Sequence, residues 1–337
     1  MDPVITGLFV GVFVGFVMQR GRFCMNSAFR DIILLKDYTL IKTVVLALLV
    51  GLAGFAIMAY AGVITLNPKP LWWGANLIGS FIFGIGMVIA GGCASGITYR
   101  IGEGMVGAMT AVLGLAIGGY LTAAGFLNGI ASSLQTSTKI TAADGSNLTL
   151  ANVLGINYSV LALIIVVIVV VIWYIIDRKN FEADAGWGWM TTGFLIGLGS
   201  ILAFPLSAAA GRNYPLGITA GWVGTVKKVL NISEVSFSWI AWLVIGIVVG
   251  SFIAALIAKE FKLRAPAIRV LVQTFVGGLL MGFGAVTSGG CNIGHILSGV
   301  PQLSLGSILA AISIILGAWL MSYIMFVLPM KRAESED

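Results

Sequence analysis

The side chains best suited to chemistry in this 337-residue chain are its three cysteines, Cys24, Cys93 and Cys291. A thiol is a weak hydrogen-bond donor and a soft acceptor, so it suits a sulfur atom better than a hard oxygen anion. A single cysteine in an apolar helix is more often a small hydrophobic residue. Here a functional role is favoured, because Cys93 and Cys291 each follow two glycines and lie 198 residues apart in similar segments.

Positive charges and one histidine accompany the thiols. Arg22 precedes Cys24, and Arg212 follows a glycine in the same way after a later apolar run. Both could guide an anion, although Arg22 could equally extend to the membrane surface. His295 is the only histidine and lies four residues after Cys291. It could transfer protons or bind an oxyanion, and a histidine satisfied by a backbone carbonyl is an equal alternative.

Glycines and small polar residues complete the predicted site. Backbone that is freed where a helix ends inside a membrane is tolerated only beside a cavity or against protein. Besides the cysteines, the two arginines and the histidine, the predicted translocation site contains Gly91, Gly92, Gly289, Gly290, Asn292, Ser95 and Asn26. Arg100 and Glu103 are instead expected to pair with each other at the cytoplasmic face.

The elements that must position these residues are membrane-spanning helices. The chain is 59% hydrophobic and 9% charged, with a mean hydropathy of +1.04, far from the range of soluble proteins. Its net charge of +6 lies in short segments between apolar runs, so nucleic-acid binding is not expected. The N-terminus lacks the basic region and cleavage site of a signal peptide, so the first span should stay attached. Nine spans are predicted, at 3–18, 42–63, 72–90, 104–127, 158–177, 189–207, 238–258, 268–287 and 304–330.

Basic residues predict the orientation of these spans. The Lys and Arg residues after the first span should be cytoplasmic, which places the N-terminus in the periplasm and the C-terminus in the cytoplasm. The loop 128–157 then lies outside, and Arg178 and Lys179 lie inside. Segment 208–237 is the exception, because it carries Arg212 on the disfavoured side, and an anion path would explain that charge.

An internal repeat is the main organisational feature. The glycine pattern from Gly79 to Gly96 recurs from Gly277 to Gly294 at a constant offset of 198 residues. We therefore predict repeat one at 1–127, a connecting loop and helix at 128–185, and repeat two at 186–330. One connecting span inverts the second unit, and inverted repeats are typical of transporters whose substrate path lies between the units. The predicted fold is one all-α polytopic membrane domain, 1–337, with about nine spans and short re-entrant or non-spanning helices.

Three cysteine segments resemble the YeeE/YedE family, and the resemblance extends over essentially the whole chain. They are GRFCMNSAFRD at 21–31, GGCASG at 91–96 and SGGCNIGH at 288–295. The resemblance implies an hourglass-shaped thiosulfate uptake protein of the bacterial inner membrane, and not an enzyme. It implies that the thiols of Cys24, Cys93 and Cys291 pass thiosulfate through a central constriction by S–H to sulfur hydrogen bonds. Membrane lipids and a small TusA-like sulfur carrier in the cytoplasm are the implied partners, with no cofactor and no metal.

Two other functions stay open. Some members of this family are associated with selenium or other sulfur species, so the cargo could be another such compound. A membrane thiol redox enzyme or sensor is the alternative outside transport. The absence of a Cys-x-x-Cys pair, and of an obvious base other than His295, counts against it.

Overall fold

The computed structural model describes residues 2–177, 187–229 and 237–336. Within these ranges, nine helices are long and apolar enough to cross a membrane, which confirms the predicted all-α polytopic fold. The predicted cytoplasmic residues Arg178 and Lys179 lie outside the described ranges.

The α-helices begin and end close to the predicted spans, with shorter helices between them. They are α1 (Pro3–Arg20), α2 (Met25–Leu34), α3 (Thr39–Tyr60), α4 (Trp73–Ile89), α5 (Ala94–Gly102), α6 (Val106–Ala124), α7 (Asn128–Ser137), α8 (Leu150–Leu154), α9 (Tyr158–Asp177), α10 (Trp189–Ala209), α11 (Thr219–Val229), α12 (Trp239–Ile257), α13 (Ile268–Ser288), α14 (Leu305–Ser322) and α15 (Leu328–Glu336). π-Helical segments occur at Ile293–Gly299 and Tyr323–Val327, and a 3-10 turn at Val300–Gln302. Two short strands, β1 (Leu71–Trp72) and β2 (Lys139–Ile140), pair antiparallel.

Small residues bring the spanning helices into close contact. Helices in lipid gain little from the hydrophobic effect and associate largely by close packing of small side chains. On α1, a Cβ atom added at Gly11 would overlap the carbonyl oxygen of Leu243 and the backbone of Gly246 on α12. These glycines therefore act in packing, and they set the separation of α1 and α12.

Helices α4 and α13 exchange contacts in a reciprocal way. A Cβ added at Gly79 of α4 would lie 2.8 Å from the backbone nitrogen of Ser288. At the equivalent Gly277 of α13, it would lie 2.3 Å from the backbone nitrogen of Ala90. Gly277 lies 198 positions after Gly79, and Ser288 lies 198 positions after Ala90. Reciprocal contacts are expected across a two-fold axis, so they support the proposed inverted repeat, which stays a prediction.

The polar segment 128–157 is more ordered than the loop that the sequence predicted. It contains α7, β2 and α8. Local hydrogen bonds explain the difference, since the Thr149 hydroxyl accepts from the Asn152 nitrogen and caps α8. The Gln135 amide on α7 donates to the carbonyl oxygens of Val286 and Thr287, and this fixes α7 over the end of α13.

Candidate functional site

Two interrupted helices carry the glycine–glycine–cysteine segments. Helix α4 ends at Ile89 before α5 begins, and α13 ends at Ser288 before the π-helix begins. Gly91 and Gly289 adopt φ values of +71° and +85°, a left-handed conformation that glycine adopts without a steric penalty. Both helices therefore stop where the sequence predicted, and each break presents a cysteine to the protein interior.

Two of the three thiols form a buried pair. The Sγ atoms of Cys24 and Cys93 lie 3.8 Å apart, within hydrogen-bonding distance for sulfur. The backbone nitrogen of Gly96 donates to the Cys93 Sγ atom at 3.3 Å, and the Ser95 Oγ atom lies 3.4 Å from the same sulfur. Cys24 and Cys93 directly precede α2 and α5, so each lies at a helix N-terminus, where backbone amides favour negative charge.

Gly96 allows these thiols to approach, and the sequence analysis did not single it out as a site residue. A Cβ atom at Gly96 would lie 2.8 Å from the Cys24 sulfur and 3.3 Å from the Cys93 sulfur. At Gly294, its counterpart 198 residues later, no atom lies within 4 Å of the added Cβ. The requirement for glycine at residue 96 thus comes from the thiol pair.

The side chain of Asn292 joins the segments that carry the cysteines. Its Oδ1 atom accepts from the backbone nitrogen of Ala94, at 3.3 Å. Its Nδ2 atom donates to the sulfur of Met25, at 3.1 Å. Ala94, Met25 and Asn292 are the residues that follow the three cysteines. We call the cluster of Cys24, Cys93, Cys291 and Asn292 the thiol waist. Its three thiols are at most 2% exposed, so an ion reaches Cys93 only if the waist opens.

A positively charged cavity lies on one side of the thiol waist. Its volume is about 350 Å³, and its otherwise largely apolar wall includes Lys69, Arg212, Lys227, Gly289, Gly290 and Cys291. We call this cavity the vestibule. It contains the predicted Arg212 and Cys291 together with two lysines absent from the predicted site. Lys69 lies between the second and third predicted spans, on the side where the positive-inside rule disfavours it, and that signal could have identified it.

Carbonyl oxygens and an aromatic ring, rather than carboxylates, contact the vestibule cations Arg212 and Lys69. The Arg212 Nη1 atom donates to the carbonyl oxygens of Tyr214 and Pro215, each at 2.6 Å. The Lys69 ammonium donates to the Gly289 carbonyl oxygen and lies 4.6 Å from the centre of the Tyr214 ring. Within the described ranges, no carboxylate forms a salt bridge with Arg212 or Lys69. Burial lowers the pKa of Lys69 to about 8, and the charge of Arg212 acts in the same direction.

His295 lies behind the vestibule wall. The ring is fully buried in the π-helix, and its Nδ1 atom lies 3.2 Å from the Ser307 hydroxyl oxygen. A Cβ atom at Gly290 would lie 3.1 Å from the Nε2 atom, so this glycine leaves room for the ring. The structure thus places His295 next to Gly290 but not among the residues that line the vestibule.

Charged residues of both signs meet on the opposite side of the thiol waist. The Arg22 guanidinium lies 3.3 Å from Glu103 and 3.0 Å from Glu260, and Arg20 lies 3.6 Å from Glu260. The Gln19 amide donates to both carboxylates, and its hydrogen bond holds the pKa of Glu260 below the usual range. We call these five residues the charge cluster, and the surface on which they lie the Arg22 face.

The prediction that Arg100 and Glu103 form an ion pair is wrong. Arg100 instead donates to the carbonyl oxygen of Gly91, at 2.8 Å, while Glu103 accepts from Arg22 and Gln19. The break after α4 frees the carbonyl oxygen of the exposed Gly91 from helical bonding, so that it can accept a hydrogen bond from a side chain. Arg100 donates that hydrogen bond.

The remaining predicted residues have different environments. Arg22 and Arg212 do not share an environment, since the side chain of Arg22 is 58% exposed and bound by carboxylates. Gly92 packs against Ile97 and the guanidinium of Arg100. Asn26 is buried in α2, next to Met25. The roles of these residues stay predictions.

Known proteins resemble this chain over nearly its whole length. A family model described as sulphur transport matches residues 20–320. The thiosulfate transporter TsuA of Spirochaeta thermophila is 43% identical over 329 residues, covering 95% of this chain and 98% of that protein. TsuA of Escherichia coli strain K12 is 32% identical over 348 residues, covering 98% and 97%. The probable transporter YedE of the same strain is 36% identical over 114 residues, covering 34% of this chain and 28% of that protein.

Proposed function

This chain belongs to the sulphur transport family, and we propose that it takes up thiosulfate across the inner membrane of a bacterium. It is a multi-pass membrane transporter and not an enzyme. Two relatives that match it from end to end are named thiosulfate transporters, which supports this cargo. The observation that carries the proposal is a positively charged vestibule that ends at a thiol.

The vestibule suits both ends of the thiosulfate dianion. Lys69 and Arg212 attract the negative charge, because no described carboxylate neutralises them. Cys291 lines the same cavity and presents a soft sulfur atom to the terminal sulfur of the ion. Sulfate carries the same charge but has no terminal sulfur, so the thiol provides a basis for discrimination.

The short distance of 3.8 Å between the Cys24 and Cys93 sulfur atoms supports passage through the thiol waist. The ion passes from Cys291 to the Cys93 and Cys24 pair through S–H to sulfur hydrogen bonds, while the helix N-termini at α2 and α5 stabilise its oxygens. Before the ion can pass, the hydrogen bond of Asn292 with Ala94 or the one with Met25 must break. Weak contacts of this kind suit a transporter, since a site that binds tightly releases slowly. No covalent bond between protein and substrate is required.

The charge distribution supports an inward direction of uptake. Under the positive-inside rule, the Arg22 face is cytoplasmic and the vestibule opens to the periplasm. The N-terminus is then periplasmic and the C-terminus cytoplasmic. A small TusA-like sulfur carrier would receive thiosulfate at the Arg22 face, and membrane lipids surround the outward-facing apolar side chains.

The test is uptake of radiolabelled thiosulfate by cells that lack their own importers and express this chain. Cys93 and Cys291 are each changed to Ala and to Ser at equal protein abundance. We expect the Ala variants to lose uptake. The Ser variants should also be impaired, because a hydroxyl replaces the soft sulfur while the shape is kept. Ser159→Ala, a small change on α9, serves as the control and should transport normally.

The outcomes separate cargo from mechanism. If the unmodified chain takes up no thiosulfate, the proposed cargo is wrong. If it transports and the Cys variants match the Ser159→Ala control, the thiols act only in packing. Competition by excess unlabelled sulfate or selenium oxyanions then identifies any other cargo.

A further inference from the structure

The charge cluster joins three separate parts of the chain beside the thiol waist. Arg22 follows α1, Glu103 follows α5 and Glu260 follows α12. Arg22 contacts both carboxylates, and Gln19 donates to Glu103 at 3.3 Å and to Glu260 at 2.6 Å. Arg22 thus has two anionic partners, whereas Lys69 and Arg212 have none among the described residues.

This difference has a direct effect on how an anion binds at each side. A dianion entering the vestibule meets cations that no described carboxylate occupies. A dianion that has passed Cys24 meets Arg22, two residues away along the chain, and must compete with Glu103 and Glu260 for the guanidinium. The vestibule therefore captures anions, and the Arg22 face releases them.

The two carboxylates are not equivalent in this competition. The side chain of Glu260 is 35% exposed, so water can solvate it when Arg22 moves away. The side chain of Glu103 is only 3% exposed, and a buried carboxylate that loses a cationic partner is strongly disfavoured. Glu103 consequently forms its ion pair with Arg22 again after each ion has passed.

We propose that Glu103 is a positioning residue for substrate release, which keeps the affinity of the Arg22 face for anions low by reclaiming Arg22. This inference rests on the proposed transport of thiosulfate. It assigns a function to a carboxylate outside the predicted site, on a path that otherwise uses thiols and cations. Arg22 contacts the passing ion briefly, and Glu103 limits the duration of that contact.

The test compares Glu103→Gln with Glu260→Gln in membrane vesicles of both orientations. The half-saturating thiosulfate concentration is measured separately at each face. In Glu103→Gln, we expect it to fall about two- to fivefold at the Arg22 face, the range expected when a partly exposed ion pair is lost. It should stay unchanged at the vestibule face, and the maximal uptake rate should fall because release is slower. Glu260→Gln should have a smaller effect.

A double variant shows whether the effect acts through Arg22. Adding Arg22→Gln to Glu103→Gln should return the half-saturating concentration at the Arg22 face to the unmodified value or above it, which a general loss of structure would not do. Gln keeps the size of Glu103 and removes a buried charge, so the single variant is expected to fold. If its abundance is low, Glu103→Asp keeps the charge but shortens the side chain, which lengthens the 3.3 Å contact with Arg22, and should shift the half-saturating concentration in the same direction by a smaller amount.

The two proposals fail in different ways. If neither orientation of the unmodified chain transports thiosulfate, the proposed function is wrong. If the unmodified chain transports thiosulfate, and Glu103→Gln has the half-saturating concentration of the unmodified chain at each face, the proposed role of Glu103 in release is wrong. The proposed transport of thiosulfate then stands.

Discussion

At the scale of single residues, the short distance between the Cys24 and Cys93 thiols requires a neighbouring residue without a Cβ atom. Gly96 lies where any side chain would contact both the Cys24 and the Cys93 sulfur atoms. The glycine also donates its backbone N–H to Cys93. One residue therefore sets both the spacing of the pair and the polarity around it.

Gly96→Ala should reduce thiosulfate uptake about tenfold, since overpacking a buried contact costs about 1 to 3 kcal/mol. Gly129→Ala is the control, because it makes the same change on α7, away from the vestibule, where no atom lies within 4 Å of the added Cβ atom. Uptake rates at equal abundance decide the matter. Equal rates in the two variants would show that the spacing of the thiols is unimportant.

Uptake should also depend on pH through Lys69. The pKa of this lysine is about 8, so the ammonium is charged below that pH and loses its proton as the pH rises. Thiosulfate stays a dianion throughout, and its attraction to the vestibule weakens. We expect the KM to increase between about pH 7 and about pH 9. Lys69→Arg should flatten this dependence, because arginine stays protonated. The same profile in both proteins would contradict the assignment.

Some of these residues could be predicted from the sequence and others could not. Cys93 and Cys291 were identified because the repeat placed them in equivalent segments, and Arg212 because its charge is on the disfavoured side. Lys69 carried the same signal as Arg212, in a shorter segment. The contact between Arg22 and Glu103 could not be predicted, since it joins residues 81 positions apart and depends on how α1 packs beside α5.

At the scale of secondary structure, two broken helices meet at a side-chain amide. The sequence predicted both breaks, because two consecutive glycines followed by polar residues do not continue a membrane helix. It did not predict that Asn292 would bridge Ala94 and Met25. Such a bridge depends on the relative depth of two helices from different halves of the chain, and local composition does not determine that depth.

Asn292→Ala should loosen the thiol waist and weaken selectivity. It leaves the Ala94 N–H without an acceptor, which costs about 1 to 3 kcal/mol for a buried group. Asn76→Ala is the matched control, because Asn76 is also buried and bridges Trp72 and Ser288 through its amide. We expect both variants to lower the unfolding temperature.

Only Asn292→Ala should increase sulfate uptake relative to thiosulfate uptake, as measured with both labelled anions in the same cells. If the two variants have the same ratio of sulfate to thiosulfate uptake, Asn292 contributes to stability alone.

At the scale of the whole molecule, the two sides of the thiol waist differ in charge. One side has cations that no described carboxylate neutralises, and the other has cations paired with glutamates. Charged side chains that lie between the spanning helices create this asymmetry. Composition and charge clusters were enough to predict nine spans, whereas the vestibule became visible only once the helices were packed.

The orientation can be tested by labelling introduced cysteines. Lys139→Cys lies in β2, on the predicted periplasmic side, and Lys262→Cys lies after α12, on the predicted cytoplasmic side. Both residues are exposed, whereas the natural cysteines are buried. A membrane-impermeant maleimide added to intact spheroplasts should label only the Lys139→Cys variant. Labelling of Lys262→Cys alone would reverse the proposed direction of the path.

The connecting helix α9 differs from the other spans in how little of it is covered. Only 17% of its most apolar window is buried, compared with 61% for the span that contains α4, and its mean hydropathy of 3.3 is high. Lipid accepts almost any apolar side chain, whereas a close helix contact accepts only a small one. We therefore expect exchanges among Val, Ile and Leu to be tolerated at the lipid-facing positions of α9, and larger residues to be tolerated poorly at the packed glycines of α4 and α13.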